Sequence, residues 1–485
     1  MKRDFNMSTN KDNCVVSEQL KTIDSWIESH WDEFLTDLKT LVSINSVEDK
    51  SSAKEGAPWG EGPAKALNCA IDIARKLGFE TKNIDGAVGY ADVKCEGKVD
   101  KKQIALIGHT DVVPAGEGWN TVPFSLTKRE GFLLGRGVID DKGPLLCGLY
   151  ALAYCAQTMQ EIPYGLRAIL GANEETGMGD LEVYQKYCDD PDFLFSPDAN
   201  WPLVYGEKGI WQAEITSKKI ERGNLLELNG GSAPNAVPGF AHAKVKVSDI
   251  DLNSLKETEG ITASVDGDVL IVEATGKGAH ASTPEEGISA INKLVHYLLK
   301  NNLLLKSEIP FVDLVARLSD SWDGSSVCVQ CEDDAFGKLT LVAGVISLYK
   351  GVLTQTIDVR FPTTINADEL ETKISKLAGE ADSSLEVTNC MLPFLMDSQS
   401  VEIDALMSAY KEVTGDAREP FTIGGGTYAR HFKNAVSFGV EKTWEKYPSW
   451  VGGMHGPNEG VKESDLKEAI KIYIRAIQNL CKVEL

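Results

Sequence analysis

No apolar run in this chain reaches the roughly 20 residues needed to span a bilayer. The opening segment, residues 1–19, is polar and charged and lacks the apolar stretch of a secretory signal. Both absences argue against a membrane or exported protein and predict a cytoplasmic one. Positive charge is also scarce: 49 Lys and Arg face 72 Asp and Glu, a net charge of −23 with a pI near 4.8. Such a surface repels nucleic acid and anionic membranes, so neither is expected as a main partner. There is no repeat of solenoid length and no low-complexity tract. The ten cysteines follow no framework spacing. Several stand among apolar residues, as Cys147 and Cys155 do in LLCGLYALAYC, so free buried thiols in a reducing compartment are expected. Cys328-x-x-Cys331 has no second pair to complete the four ligands of a structural zinc site.

What is present is enough chain for two or three domains: 485 residues, 42% hydrophobic and 25% charged. WIESHWDEFLTDLKTLVSI places Trp26, Trp31, Phe34, Leu38 and Leu41 near one helical face. A second helix is expected through AKALNCAIDIARKLG, stopped by Gly78. The period then changes. QIALIG, GLRAILGA and DFLFS are short apolar runs without polar alternation, which suits strands buried on both faces. Helix-like LLCGLYALAYCAQTM follows the first of them, with Pro144 just inside its start. This alternation predicts an α/β fold: a central, mostly parallel sheet flanked by helices.

From about residue 208 the strands alternate instead, as in IWQAEITSK, GFAHAKVKV and TASVDGDVLIVEAT, with Asp266-Gly267 marking a hairpin. A helix over AINKLVHYLLKNNLLL, strands KLTLVAGVISL and VLTQTIDVRF, and a helix over ADELETKISKLAGEA complete an inserted α+β lid domain of two halves. The expected division is 1–207 and 393–485 for the first domain and 208–392 for the lid. GGGTYAR, the strand AVSFGV and a last helix, ESDLKEAIKIYIRAIQNLC, close the chain.

Acids and histidines gather at the ends of the buried strands. His109 and Asp111 lie in GHTDVV, where residues i and i+2 of an extended chain point the same way. By itself His-x-Asp is more often structural. Asp140 and Asp141 stand in GRGVIDDKGP at a strand-to-helix boundary, where α/β sheets build their sites; helix capping accounts for one acid more naturally than for two. Glu174 and Glu175 in NEETG repel each other unless a cation lies near. Asp198 in SPDAN and His455 in MHGPNE complete the group. Two imidazoles and three ligating carboxylates, with Glu174 left over, form the inventory of a two-metal hydrolase. His30, His242 and His296 have no supporting motif. His280, in the small-residue loop GKGAHAS, could approach a ligand.

In this order the motifs resemble the metallopeptidase family of aminoacylases, carboxypeptidase G, desuccinylases and carnosinases. PWGEGPAKAL, SAPNAVP, DVRFP and IGGGTYAR are similar to the PepV-type bacterial dipeptidases within it, over most of the chain. The resemblance implies that His109, Asp140 and Asp198 hold one divalent ion and that Asp140, Glu175 and His455 hold another. It implies that Asp111 orients His109, that Glu174 is the general base for a metal-bridged hydroxide, and that His280 stabilises the oxyanion. It further implies that Asn235 and Arg360 meet the substrate carbonyl and C-terminal carboxylate, with Gly425, Gly426 and Thr427 offering backbone N–H groups. The Asp140–Asp141 peptide would be cis. The donor set suits zinc first, with manganese or cobalt as alternatives.

The expected activity is hydrolysis of dipeptides with a free N-terminus, by a monomer whose two-part lid replaces a partner. A related N-acyl-amino-acid amidohydrolase, such as a desuccinylase or aminoacylase, is the alternative. A metal-dependent binding module is a third reading, against which Glu174 speaks, since metal binding alone does not need it.

Overall fold

The computed structural model describes residues 4–94, 102–247 and 255–485, with side chains from residue 16 onward. The chain forms two compact units: residues 1–205, 396–421 and 427–485 make the first, and residues 206–395 with 422–426 the second. Gly425 and Gly426 therefore belong to the second unit and Thr427 to the first. The second unit leaves and returns at neighbouring points, since the Met396 N–H donates to the Tyr205 carbonyl at 2.8 Å.

In the first unit the strands Glu80–Ile84, Val88–Asp92, Gly165–Gly171, Gln103–His109, Phe193–Ser196 and Ala435–Ser437 lie side by side in that order. The Gly165–Gly171, Gln103–His109, Phe193–Ser196 and Ala435–Ser437 strands are mutually parallel, while the Val88–Asp92 strand runs antiparallel to its neighbours. From Ile104 onward the Gln103–His109 strand is buried throughout, because it is covered on both faces. The helices Asp4–Val42, Glu61–Lys76, Lys142–Thr158, Val401–Thr414 and Glu463–Leu480 close the core. Phe34, Leu38 and Leu41 are buried on one stripe of the first helix, with Trp31 beside them. Gly78, at φ +99°, follows the second helix. The Lys142–Thr158 helix is apolar all round and packs against Glu463–Leu480. The fold is thus α/β, with an inserted α+β unit.

That second unit is built on an eight-stranded antiparallel sheet. Ile261–Asp266, Val269–Thr275, Phe240–Lys246 and Leu225–Gly230 pack with the helix Ala290–Lys300. Thr340–Tyr349, Val352–Phe361, Gly209–Ser217 and Ser383–Met391 follow, with the helix Ala367–Glu380 against the last of them. The two sets adjoin through a short ladder in which Asn229 pairs with Ser347 and Gly230 with Ile346. The hairpin loop is Gly267-Asp268 rather than Asp266-Gly267, because Asp266 still pairs with Val269. The helix expected over residues 290–305 ends at Lys300, and Asn302 turns left-handed at φ +54°. A further helix, Ile309–Ser319, then fills the layer, with Pro310 at its start, where its missing N–H costs nothing.

Burial of the cysteines with described side chains is not general. Cys147 and Cys155 are fully buried, whereas Cys328 and Cys390 are exposed. Cys95 and the side chain of Cys14 lie outside the described residues. Among the described residues no helix is long and apolar enough to cross a membrane.

Candidate active site

Three neighbouring parallel strands end at the same edge of the first unit's sheet, and each runs into candidate residues. Gln103–His109 delivers His109 and then Asp111; Gly165–Gly171 leads to Glu174 and Glu175; Phe193–Ser196 leads to Asp198. The crevice beyond the carboxyl ends of such strands is where open α/β sheets place their sites. Asp140 arrives on the segment entering the Lys142–Thr158 helix, and His455 on the loop before Gly460–Lys462.

These side chains meet. His109 Nε2 lies 3.0 Å from Asp140 Oδ1 and 3.5 Å from Asp198 Oδ2. His455 Nε2 lies 2.9 Å from Asp140 Oδ2 and 3.2 Å from Glu175 Oε2. Asp140 therefore divides its two oxygens between the two imidazoles, and each imidazole has a second carboxylate at hand. Ligand atoms of His109, Asp140 and Glu175 lie within 4.8 Å of one another, as do those of His109, Glu174 and Asp198. Glu174 thus stands within ligand distance of the same cluster. His109 Nδ1 is 3.0 Å from the Asp111 carbonyl and 3.4 Å from Asp111 Oδ1. The Asp111 carboxylate also accepts from the Glu174 and Glu175 N–H groups at 3.2 and 3.1 Å, tying the glutamate loop to the histidine strand.

The adjacent acids have different tasks. Asp140 faces the imidazoles. Asp141 sits at the N-cap position without capping; its Oδ2 accepts from the His109 N–H at 3.0 Å. Gly108 makes room, since a Cβ there would lie 2.2 Å from that oxygen. The Asp140–Asp141 peptide is cis.

Electrostatically the cluster is overloaded with negative charge. Burial raises the pKa of Glu174 well above the ordinary glutamate value; the His109 charge opposes this, and Asp198, Glu175 and Asp140 add to it. Burial and then Asp140 raise Glu175 and Asp198 as well. Asp140 goes the other way: hydrogen bonds with His109 and His455 lower it in spite of burial. His109 is buried, which disfavours its charge, yet Asp111, Asp140 and Asp198 hold it well above the usual histidine value. Hydrogen bonds to Asp140 and Glu175 raise His455. A cation relieves this repulsion, and the oxygen and imidazole donors fit a hard or borderline divalent ion.

Of the other expected residues, His280, Asn235, Arg360, Gly425 and Gly426 belong to the second unit and Thr427 to the first. His280 is exposed in the second unit, its Nδ1 2.7 Å from Ser282 Oγ. Asn235 is near it along the chain fold, since Ala236 pairs with His280 and the Asn235 carbonyl accepts from Ala281 N–H. Arg360, in the same unit, is buried and engaged: Nε and Nη2 donate to Asp358 at 2.6 and 3.0 Å, and Nη1 to the Gly424 carbonyl at 3.1 Å. Thr427, in the first unit, shares a 2.8 Å hydrogen bond with Ser437 Oγ. His30 stacks on Trp26, while His242 and His296 lie beside Glu227 and Asp320.

Sequence reasoning missed three buried groups, Arg136, Glu459 and Asp180, and the contact of Asp141 with the His109 N–H. Asp180 Oδ2 accepts from the Ala172 and Asn173 N–H groups at 2.7 and 3.0 Å and from the Tyr428 hydroxyl, bracing the glutamate loop from behind. The available signal was their place inside or beside the quoted motifs.

A mostly parallel α/β sheet whose strand ends gather imidazoles and carboxylates is the frame of a metal-dependent hydrolase. Residues 105–479 match peptidase family M20/M25/M40, and the chain belongs to that family. It is therefore a metallopeptidase. A protein of Staphylococcus epidermidis named "Putative dipeptidase" is 30% identical over 93% of this chain and 97% of its own length. In fold the chain is similar to the di-peptidase Dug1p of Saccharomyces cerevisiae, with TM-score 0.61, 16% identity, and 96% of this chain and 99% of that one covered. It is also similar to human carnosine dipeptidase 1, with TM-score 0.60 and 17% identity over the same shares.

Proposed function

We propose that the chain is a dimetal dipeptidase acting as a cytoplasmic monomer on dipeptides with a free N-terminus. In this reading 1–207 and 393–485 form the catalytic part and 208–392 the lid. One observation carries it: Asp140 offers one oxygen toward His109 and the other toward His455, and Asp198 and Glu175 flank the two imidazoles. His109, Asp140 and Asp198 would hold one ion, and Asp140, Glu175 and His455 the second. The ions, when bound, supply Lewis acidity and lower the proton affinity of water.

The chain's own groups do the rest. Glu174, as the carboxylate, accepts a proton from the attacking water and delivers it to the leaving amine. Asp111 fixes the His109 ring and the Glu174 backbone together. His280 donates to the oxyanion and Asn235 to the substrate carbonyl. Arg360 reads the terminal carboxylate through its fork. Bonds to Asp358 and Gly424 occupy three of its N–H groups and fix the plane of the fork. Backbone N–H groups of Gly425, Gly426 and Thr427 assist. Reading both ends of the substrate selects dipeptides. The names of the relatives support the substrate class.

The test pairs metal analysis of chain purified without added metal with a panel of free dipeptides, dipeptide amides, and N-acetyl and N-succinyl amino acids. Two ions per chain and turnover confined to free dipeptides are expected. Preferential hydrolysis of the N-acyl compounds would replace the reading with an amidohydrolase, and equal turnover of the amides would remove Arg360 from carboxylate recognition.

A further inference from the structure

The five candidate ligands are not held alike. The His109, Asp140, Glu175 and Asp198 side chains are 0, 6, 6 and 13% exposed, whereas that of His455 is 55% exposed. Burial fixes the first four. His455 also has a left-handed backbone at φ +62°, a conformation disfavoured for a non-glycine residue. Such a residue persists only where its surroundings over-determine it.

What holds it is a buried ion pair that the proposed chemistry does not use. Arg136 and Glu459 are 1 and 0% exposed, with Nη1 2.5 Å from Oε2. Arg136 Nη2 donates to the His455 carbonyl at 3.1 Å and to the Pro114 and Ala115 carbonyls at 3.3 Å. Glu459 Oε1 accepts from the Gly137 and Ile139 N–H groups at 2.9 and 3.2 Å, and its carbonyl accepts from Gly135 N–H at 3.0 Å. Two side chains thus join the loop after Asp111, the segment before Asp140 and the loop carrying His455. A planar guanidinium is suited to this: it serves three carbonyls and a carboxylate at once, which an ammonium on a flexible stem cannot do with the same geometry.

We infer that Arg136, with Glu459, is a positioning residue that sets the His455 imidazole against Asp140 and Glu175, and so governs the affinity of one metal position and not the other. The inference rests on the two-ion reading above. The pair touches neither substrate nor the reacting atoms.

The experiment titrates Zn2+ into metal-stripped full-length chain by calorimetry, for wild type and Arg136→Lys. Wild type is expected to bind two ions. Arg136→Lys should bind one with wild-type affinity and the other about 10- to 100-fold more weakly, the usual effect of losing a group that orients a ligand. Its dipeptide hydrolysis should return when free Zn2+ is raised by the same factor. Two ions bound with wild-type affinities, or both weakened equally, would overturn the proposal, the second by making the pair a general structural brace. Should Arg136→Lys not fold, Glu459→Gln serves instead: it keeps Oε1 for Gly137 and Ile139 but discharges the partner of Arg136, and the same selective weakening is expected. A wild-type chain that binds fewer than two ions defeats the two-ion reading itself, a result distinct from either.

Discussion

Two strands, one from each unit of this chain, place their side chains in opposite ways. In the first, the Gln103–His109 strand is buried from its second residue to its last and ends inside a cluster of carboxylates. In the second, the Ser383–Met391 strand at the sheet edge alternates between half-buried and exposed positions throughout. The first arrangement confines charge where water cannot screen it, so each group depends on its neighbours. The second leaves side chains such as His280 exposed. What differs is how far a single residue's loss should spread: far around the buried cluster, little along the alternating edge.

Four measurements bear on that contrast. The largest effect belongs to Glu174→Gln, expected to lower kcat roughly 10²- to 10⁴-fold, the usual weight of a general base, with both ions retained. Loss of an ion in that variant would make Glu174 a ligand, as its place within reach of His109 and Asp198 also allows.

Next come stabilities. Ile107 is fully buried in the Gln103–His109 strand, and Ile107→Ala should cost about 2–5 kcal/mol in denaturant unfolding. Thr388 is exposed on the edge strand, and Thr388→Ala should stay within about 0.5 kcal/mol. Similar costs at both would erase the distinction between the buried strand and the edge strand.

The third is smaller and depends on pH. In the metal-free chain, neighbouring carboxylates raise the His109 and His455 pKa values, so both imidazoles hold protons above their ordinary value of about 6.5. Their stabilising contribution is complete below that value and is lost as pH rises through the raised ones. Metal bound at the proposed site must displace these protons. Calorimetry near pH 7 in buffers of different ionisation enthalpy should therefore show proton release on Zn2+ binding, with affinity increasing as pH rises. Buffer-independent heats would mean neutral imidazoles at the start.

The smallest is an expected null. Mixing inactive His280→Ala with inactive Glu174→Ala chains should recover no activity if His280 serves its own chain. Recovery, together with a dimer by light scattering, would defeat the monomer proposal.

Much of this was legible in the sequence, and the reasons are physical. QIALIG, GLRAILGA and DFLFS announce themselves because a strand covered on both faces has no polar alternation to hide it. His109, Asp140, Glu174, Glu175 and Asp198 were legible because acids directly beside such strands have no bland explanation as a set. The supporting groups were not. Arg136 and Glu459 are charged residues in loops, which a linear pattern assigns to the surface; only the fold brings them together over a separation of 323 residues. Asp180 reads as an ordinary first-turn acid of the Gly179–Tyr187 helix. The Ile309–Ser319 helix was hidden by Pro310, which resembles a break until it is seen at the helix start. Val401–Thr414 went unnoticed although Ser400 caps it, accepting from Ile403 N–H at 3.3 Å.

The point where the second unit leaves and returns, Tyr205 beside Met396, has a consequence for how the molecule is made. The strands bearing His109, Glu175 and Asp198 emerge early from the ribosome. They must then wait through some 190 further residues, which build a core of their own, before the chain comes back. His455, Glu459 and the Glu463–Leu480 helix that covers Lys142–Thr158 come last. A chain ending between the Lys142–Thr158 helix and His455 would carry that apolar helix without its cover, and the proposed metal cluster without His455. The nascent protein is thus exposed to aggregation in the interval just before synthesis ends.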